Sequence, residues 1–279
     1  MNKILYINWD VSPIIFKLGT FEVKWYSFMM FAAFAIGYLI YRKMIICEKK
    51  PIIACKTILF PTIIAMLVGA RIGHCLFYEP EVYFFNTSNM WKIFIPIENG
   101  KFTGFKGLAS HGAAIAIPIG LYYYSRANKI SYLWVVDRVA IIIALAGFFV
   151  RIGNFMNSEI YGHETNLPWG FVFLRAGETI PKHPTQLYEA LSYLLIFLFL
   201  YIFYLKRKPT YKNGRILSFF LILFFGVRFL IEFIKENQVK FEDNMLLNMG
   251  QILSIPPILV GIVWLMYLNK LNQVQQTKI

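Results

Sequence analysis

Apolar residues occur in long runs along this chain, separated by shorter polar segments, and do not alternate with polar ones as in strands. A helix that crosses the hydrocarbon core of a bilayer needs about 20 mostly apolar residues. Inside lipid every backbone N–H and C=O must be paired within the protein, so runs of this length predict helices. The pattern predicts an all-α polytopic membrane protein, residues 1–279 forming a single transmembrane domain, with seven transmembrane helices at roughly 25–46, 54–77, 107–124, 132–150, 185–205, 215–235 and 248–270.

Composition agrees with a bilayer as the surroundings of the chain. Of its 279 residues, 58% are hydrophobic, and the mean hydropathy is +0.55. The formal net charge of +13 is also seen in nucleic-acid-binding proteins. Here the basic residues are interleaved with predicted spans, where they set topology, so we expect no nucleic acid partner.

The distribution of basic residues orients the predicted helices. Cations are concentrated in short cytoplasmic loops, and the densely basic link at 206–215 is the strongest single indication. We therefore expect a periplasmic N-terminus, a cytoplasmic C-terminus and two long, aromatic-rich periplasmic connections, at about 78–106 and 151–184. The cations assigned to the cytoplasmic side are Arg42, Lys43, Lys49, Lys50, Lys56, Arg126, Lys129, Arg138, Lys206, Arg207, Lys208, Lys212, Arg215, Lys270 and Lys278.

Polar side chains inside the predicted spans fall mostly in the periplasm-side half. Such residues are costly to bury in lipid and are therefore functional candidates. A single arginine near a helix end often only reaches for the lipid headgroups, and Arg228 and Glu232, four residues apart, could be a simple ion pair. Asp137 and Arg138, at the inner end of the fourth span, are interpreted as structural anchors. The periplasm-side group comprises Tyr26, Arg71, His74, His111, Arg151, Asn154, Gln186, Glu189, Arg228 and Glu232.

Two arginines in this group suit a phosphate ligand. The planar guanidinium group binds two phosphate oxygens at once, and Arg151 and Arg228 come from different helices. The segment 151–162 also offers amides, a carboxylate and glycines that let the backbone approach a ligand. The pattern favours an enzyme that acts on lipid. The alternatives are a transporter, which needs polar residues through both leaflets, and an intramembrane protease or another headgroup enzyme.

The sequence predicts no metal and no cofactor. The three cysteines form no CxxC pair, and the four histidines lack a spacing such as HExxH.

A family resemblance rests on the segment Arg151-Ile-Gly-Asn-Phe-Met-Asn-Ser-Glu-Ile-Tyr-Gly162. It resembles the signature G-R-x-G-N-F-x-N-x-E-x-x-G of the prolipoprotein diacylglyceryl transferase family, with Val150 in place of the first glycine. Two other departures are Ala113, where a second glycine is usual, and Lys235, where arginine is common. Further similar motifs are Lys24-Trp-Tyr26, Gly69-Ala-Arg71, Gly107-Leu-Ala-Ser-His-Gly112, His183-Pro-Thr-Gln-Leu-Tyr-Glu189, Gly226-Val-Arg-Phe-Leu-Ile-Glu-Phe233 and Gly250-Gln-Ile-Leu-Ser-Ile-Pro256.

The resemblance implies a transferase of the bacterial inner membrane whose active site faces the periplasm. Its substrates would be phosphatidylglycerol and the signal peptide of a prolipoprotein; the diacylglyceryl group moves to the lipobox cysteine thiol and glycerol phosphate leaves. His111 is the candidate base, and Arg151 and Arg228 would stabilise the leaving phosphate. The substrate-binding residues implied are Tyr26, Arg71, Asn154, Glu159, Gly162, Gln186, Glu189 and Glu232, with Glu232 expected to hold Arg228.

Overall fold

The structure is a computed structural model that describes residues 6–19, 21–50, 52–77, 79–83, 93, 97–98, 101–102, 110–207, 212–237, 242 and 245–276. Within them the chain is mostly helical, as the apolar runs predict. The helices are α1 (Trp25–Cys47), α2 (Ile52–Phe77), α3 (Pro80–Tyr83), α4 (Ser110–Ala127), α5 (Tyr132–Met156), α6 (Thr185–Arg207), α7 (Arg215–Ile231), α8 (Met249–Ile252) and α9 (Ile255–Gln276).

Six helical stretches of the described chain are long and apolar enough to cross a membrane. They correspond to α1, α2, α5, α6, α7 with the turn after it, and α8 with α9. The predicted third span, 107–124, overlaps α4, but its residues 107–109 and most of the predicted loop 78–106 lie outside the described residues. The 18-residue α4 does not belong to the six, and its ends are polar, with Ser110, His111 and Arg126.

Two helix ends differ from the sequence prediction. Helix α5 continues past residue 150 to Met156, so the polar residues expected beyond its end lie on its last two turns. The predicted span 248–270 is broken into α8, which Asn248 caps at its start, and α9. The break precedes Pro256 and Pro257, whose missing N–H groups cannot continue the hydrogen bonds of α8. Proline is well tolerated in a first turn, where its missing N–H has no partner to lose.

Short strands occur in the connections, which the all-α prediction did not include. Strand β1 (Ile7–Trp9) pairs in parallel with β6 (Phe171–Phe173). Strands β2 (Ile14–Leu18) and β3 (Phe21–Lys24) form an antiparallel pair directly before α1. The third pair is β4 (Ile97–Glu98) with β5 (Lys101–Phe102).

The chain divides into two compact units, one of residues 1–41 with 137–279 and the other of residues 42–136. The prediction of a single domain stays a prediction. In the second unit α2 packs closely against α4 through small residues. A Cβ atom at Gly69 or at Gly112 would collide with the backbone of the other, and one at Gly120 would lie 2.8 Å from the Cβ of Ala65. Small residues at such a crossing let helix backbones approach each other.

In the first unit, aromatic side chains fasten the N-terminal segment and the 157–184 connection to the end of α5. Phe155, Phe171 and Phe173 are buried together, and Trp9 packs against them. The indole N–H of Trp9 donates to the carbonyl oxygen of Phe155 at 3.2 Å. The long connection is therefore anchored on the helix end that carries Arg151.

At the other end of α5, Asp137 caps helix α7. Its Oδ2 accepts a hydrogen bond from the backbone N–H of Gly214 at 2.7 Å, and its Oδ1 accepts one from Leu217 at 2.8 Å. The first N–H groups of a helix have no partner within the helix, so a carboxylate there stabilises it. Arg138 lies over the ring of Tyr204, 5.6 Å from its centre. The interpretation of Asp137 and Arg138 as structural anchors is confirmed.

We predict that Asp137→Asn lowers the free energy of unfolding by about 1–3 kcal/mol. The amide keeps one oxygen that can accept a hydrogen bond, but its NH₂ group then faces the second buried backbone N–H, which loses its acceptor. Unfolding in detergent micelles measures the change. Glu22→Gln is the control, since Glu22 forms an ion pair with the largely exposed Lys17, and such pairs contribute about 0–1 kcal/mol. Wild-type stability of Asp137→Asn would show that this cap is not needed.

Candidate active site

Polar side chains of the first unit meet where three stretches of chain come together. These are the last two turns of α5, the first two turns of α6, and the 3₁₀ turn Glu232–Ile234 that continues α7. The polar residues were predicted to share one membrane leaflet, and the contacts below show that those of this unit lie together.

Arg151 and Glu189 form a buried ion pair between α5 and α6. The Nε of Arg151 lies 2.8 Å from Oε2 of Glu189, and the two side chains are 11% and 0% exposed. The hydroxyl of Tyr193, one turn further along α6, donates to Oε1 of Glu189 at 3.2 Å. A carboxylate buried this deeply must be paired and hydrogen-bonded, and both oxygens of Glu189 are.

Lys235 is a second cation in the cluster, and it pairs with two carboxylates. Its Nζ lies 3.4 Å from Oε2 of Glu189 and 3.1 Å from Oε2 of Glu232, and its side chain is fully buried. The sequence instead suggested an ion pair between Glu232 and Arg228. That pairing is not found. The chain tightens into a 3₁₀ turn at Glu232, and this turn brings Lys235, three positions later, next to the carboxylate of Glu232.

Arg228 is half-buried in the last turn of α7. Among the described residues, no carboxylate forms an ion pair with it. The guanidinium group is therefore available to an anionic ligand, as the predicted phosphate site requires. The prediction that Glu232 holds Arg228 is replaced by the pairing of Glu232 with Lys235.

Side-chain amides extend the cluster into the connection after α5. Nη1 of Arg151 donates to Oδ1 of Asn154 at 3.1 Å, and Nδ2 of Asn154 donates to Oε1 of Glu159 at 2.8 Å. Asn157 donates to the same oxygen at 3.2 Å, and Gln186 donates to the backbone carbonyl of Glu159 at 2.7 Å. These bonds order the loop around Glu159. Glu159 itself is exposed, at the rim of the cluster.

Gly153 explains how Tyr26 reaches this end of α5. A Cβ atom at Gly153 would lie 2.9 Å from Cδ2 of Tyr26, so a glycine is needed for the ring to pack against the helix. Tyr26 belongs to the first turn of α1. The structure thus brings it beside the turn that carries Arg151 and Asn154, as predicted for a residue of the same site.

Gly162 has a packing role in the structure. Its N–H donates to the carbonyl of His183 at 2.9 Å, and the N–H of His163 donates to the carbonyl of Ile234 at 2.9 Å. A Cβ atom at Gly162 would collide with that carbonyl oxygen of Ile234. Glycine therefore lets the loop lie directly against the segment that carries Lys235, while a contact of Gly162 with substrate stays a prediction.

A second buried lysine, Lys182, holds the same segment from outside the cluster. Its Nζ lies 2.6 Å from Oε1 of Glu236 and 3.4 Å from Oε2 of Glu178. Burial lowers the pKa of Lys182, but the two carboxylates outweigh it and the pKa is raised above its ordinary value. The backbone N–H of Glu236 also donates to the carbonyl of Tyr161 at 3.2 Å. Residues on both sides of Lys235 are therefore bonded to the 161–183 loop.

Two predicted site residues belong to the second unit. Arg71 is buried there, its Nε donating to the carbonyl of Ile93 at 2.9 Å and its Nη2 to the hydroxyl of Tyr83 at 3.0 Å. His111 lies in the first turn of α4, and its side chain is outside the described residues. The predicted roles of both residues stay predictions.

Sequence reasoning missed three members of the cluster. Tyr193 follows Glu189 by four residues on a predicted helix, so helical spacing could have found it. Asn157 stood in the signature segment without a role. Lys235 was set aside as a departure from the family pattern, and only its burial between two carboxylates reveals its importance.

The fold and this cluster define a polytopic membrane protein with a buried ion-pair network at one end of its helices. The family model for prolipoprotein diacylglyceryl transferase matches residues 13–267. The chain therefore belongs to the prolipoprotein diacylglyceryl transferase family, which confirms the resemblance seen in the signature segment.

Relatives match over nearly the whole chain. A protein of Bacteroides fragilis is 38% identical over 283 residues, covering 98% of this chain and 99% of its own. One of Chloroherpeton thalassium is 36% identical, covering 99% and 100%, and one of Tolumonas auensis is 39% identical, covering 91% and 95%. Each is named phosphatidylglycerol–prolipoprotein diacylglyceryl transferase. The chain is accordingly an enzyme of the transferase class, not a transporter or a protease.

We predict that Gly162→Ala destabilises the protein by about 1–3 kcal/mol, because the added methyl group displaces the Ile234 backbone and with it Lys235. Thermal unfolding in detergent measures the loss. Gly226→Ala is the matched control, since no atom of another part of the described chain lies within 4 Å of a Cβ at Gly226. Equal midpoints for the two variants would contradict this packing role.

Proposed function

We propose that this chain transfers the diacylglyceryl group of phosphatidylglycerol to the lipobox cysteine thiol in the signal peptide of a prolipoprotein. This reaction is the first step of bacterial lipoprotein maturation. One observation carries the proposal at the level of the site: Arg151 is paired with Glu189, Arg228 is near enough to interact electrostatically with the same carboxylate, and Arg228 forms no ion pair among the residues described. The names of the relatives support the two substrates.

The arginines bind and polarise the phosphodiester. Arg151 is fixed by Glu189 and Asn154, so its guanidinium is oriented before substrate arrives. The guanidinium of Arg228 lacks a protein acceptor in the described chain, and phosphate oxygens supply one. Tyr26 packs against Gly153 and Asn154 is bonded to Arg151, and we propose that both side chains also hydrogen-bond the lipid headgroup. Charge that develops on the phosphate then forms against fixed cations, which is how such sites lower a barrier.

The transfer is a displacement at carbon. The cysteine sulfur attacks the glycerol carbon that bears the phosphate ester, a C–S bond forms, and the C–O bond breaks with its electron pair passing to the phosphate oxygen. Glycerol phosphate leaves. The thiol proton goes to a base, for which we propose His111, because the thiolate is the reactive form. This scheme uses no metal and no cofactor.

We propose seven membrane spans with the N-terminus in the periplasm and the C-terminus in the cytoplasm. The seventh span is α4, added to the six apolar helical stretches. The basic 206–215 link supports this orientation. The cluster then faces the periplasm from the bacterial inner membrane, with Arg71 an added contact to the lipid.

We predict that the purified protein moves labelled diacylglycerol from phosphatidylglycerol to a lipobox peptide. In the same assay Arg228→Lys should reduce kcat by at least about 100-fold, since lysine cannot bind two phosphate oxygens at once as arginine does. The thermal midpoint should stay near the wild-type value because no carboxylate loses a partner. Arg175→Lys on an exposed residue is the control. Absence of transfer by wild-type protein would refute the proposed function.

We predict that His111→Gln slows transfer most at neutral pH and recovers as pH rises past the thiol pKa of about 8.5, because thiolate then forms without a base. The pH profile of kcat tests this, with wild-type protein as the reference. A loss of equal size at every pH would exclude a base role for His111.

A further inference from the structure

The cluster has one more cation than it has buried carboxylates, so it carries one positive charge in excess. Its three cations are Arg151, Arg228 and Lys235, and its two carboxylates are Glu189 and Glu232. Exposed Glu159 lies at the rim, where water and salt screen its charge. The excess charge is that of Arg228, which is half-buried and therefore only partly hydrated, so it favours a ligand with one negative charge.

Lys235 decides where this surplus is located. It lies between both carboxylates, at 3.4 Å and 3.1 Å, with its side chain fully buried. The next cation available to Glu232 along the chain is Arg228, four residues earlier on the same helical face. Because Lys235 already neutralises Glu232, Arg228 gains little energy by pairing with that carboxylate. The excess positive charge therefore stays on Arg228.

The backbone holds Lys235 in this position. The N–H of His163 is bonded to the carbonyl of Ile234, and Glu236 is bonded to both Tyr161 and Lys182. The residues on both sides of Lys235 are thus fixed to the loop. The ammonium group is placed by the fold and does not depend on a bound lipid.

We infer that Lys235 is a positioning residue that sets the charge of lipid the site accepts, selecting a phospholipid whose headgroup carries only the phosphodiester charge over a zwitterionic one. This inference rests on the proposed function. A lipid with an uncharged alcohol headgroup has a net charge of −1 and matches the surplus. A lipid with an ammonium headgroup is neutral overall, and its cation adds to the surplus.

Replacing Lys235 by methionine tests this, because the chain length is kept while the cluster becomes neutral. Binding is measured as protection against thermal unfolding in detergent micelles that contain phosphatidylglycerol or phosphatidylethanolamine. Wild-type protein should prefer phosphatidylglycerol. Lys235→Met should reduce that preference by about tenfold, the size expected for one unit charge roughly 12 Å away in a site of effective dielectric constant about 20. Lys235→Arg should keep it.

Lys182→Met is the matched control, since Lys182 is also buried and paired with carboxylates but lies outside the cluster. Both lysine-to-methionine variants should lower the thermal midpoint without lipid. Only Lys235→Met should change the lipid preference. If both variants leave the preference at its wild-type value, Lys235 is a structural ion-pair residue and the inference is wrong.

A double variant keeps the test decisive if Lys235→Met does not fold. Lys235→Met with Glu232→Gln removes one charge of each sign, so the cluster regains its single positive surplus and the preference should return. A double variant with no preference would overturn the inference, as would a wild-type protein that binds both lipids equally. The transfer assay separates these outcomes from the proposed function, since transfer by wild-type protein does not depend on the measured preference.

Discussion

A carboxylate buried between membrane helices must be paired, and the pairing of Glu189 shapes the end of the first unit at which α5 ends. Arg151 approaches it from α5, Tyr193 from one turn further along α6, and Lys235 from the segment after α7. Three parts of the chain that are distant in sequence are therefore tied to one side chain. Removing a single partner would leave a charge in a site where it cannot be hydrated.

This requirement explains why irregular backbone lies next to the helices. The segment with Lys235 leaves the α-helix through a 3₁₀ turn and is held by the loop through backbone hydrogen bonds and the Lys182–Glu236 pair. Non-helical backbone at the membrane is tolerated where its polar groups are satisfied by protein. Gly162 permits the contact because it has no Cβ. The 161–183 loop thus contributes to the site by holding Lys235 in position.

The sequence predicted most of the helices and much of the cluster, for physical reasons that are local. Apolar runs reveal helices directly, and the intramembrane cost of polar residues pointed to Arg151, Asn154, Gln186 and Glu189. The partner of Glu232 could not be predicted, because helical spacing favours Arg228 and only the 3₁₀ turn makes Lys235 the partner. Strand β1 was missed since its partner β6 is more than 160 residues away, and short strands lack a periodic signal.

Buried charges at the two ends of α5 have different kinds of partner. At one end the partners are backbone groups, and at the other they are side chains. Asp137 is satisfied by backbone N–H groups of Gly214 and Leu217, which cannot leave without unfolding the start of α7. At the other end the carboxylates are satisfied by side chains, and one cation, Arg228, is in excess. Charge held by backbone is fixed, whereas a surplus on a side chain can be met by a ligand. The end that is fully satisfied anchors the helices, and the end where Arg228 has no carboxylate partner among the described residues is where we propose that a phosphate binds.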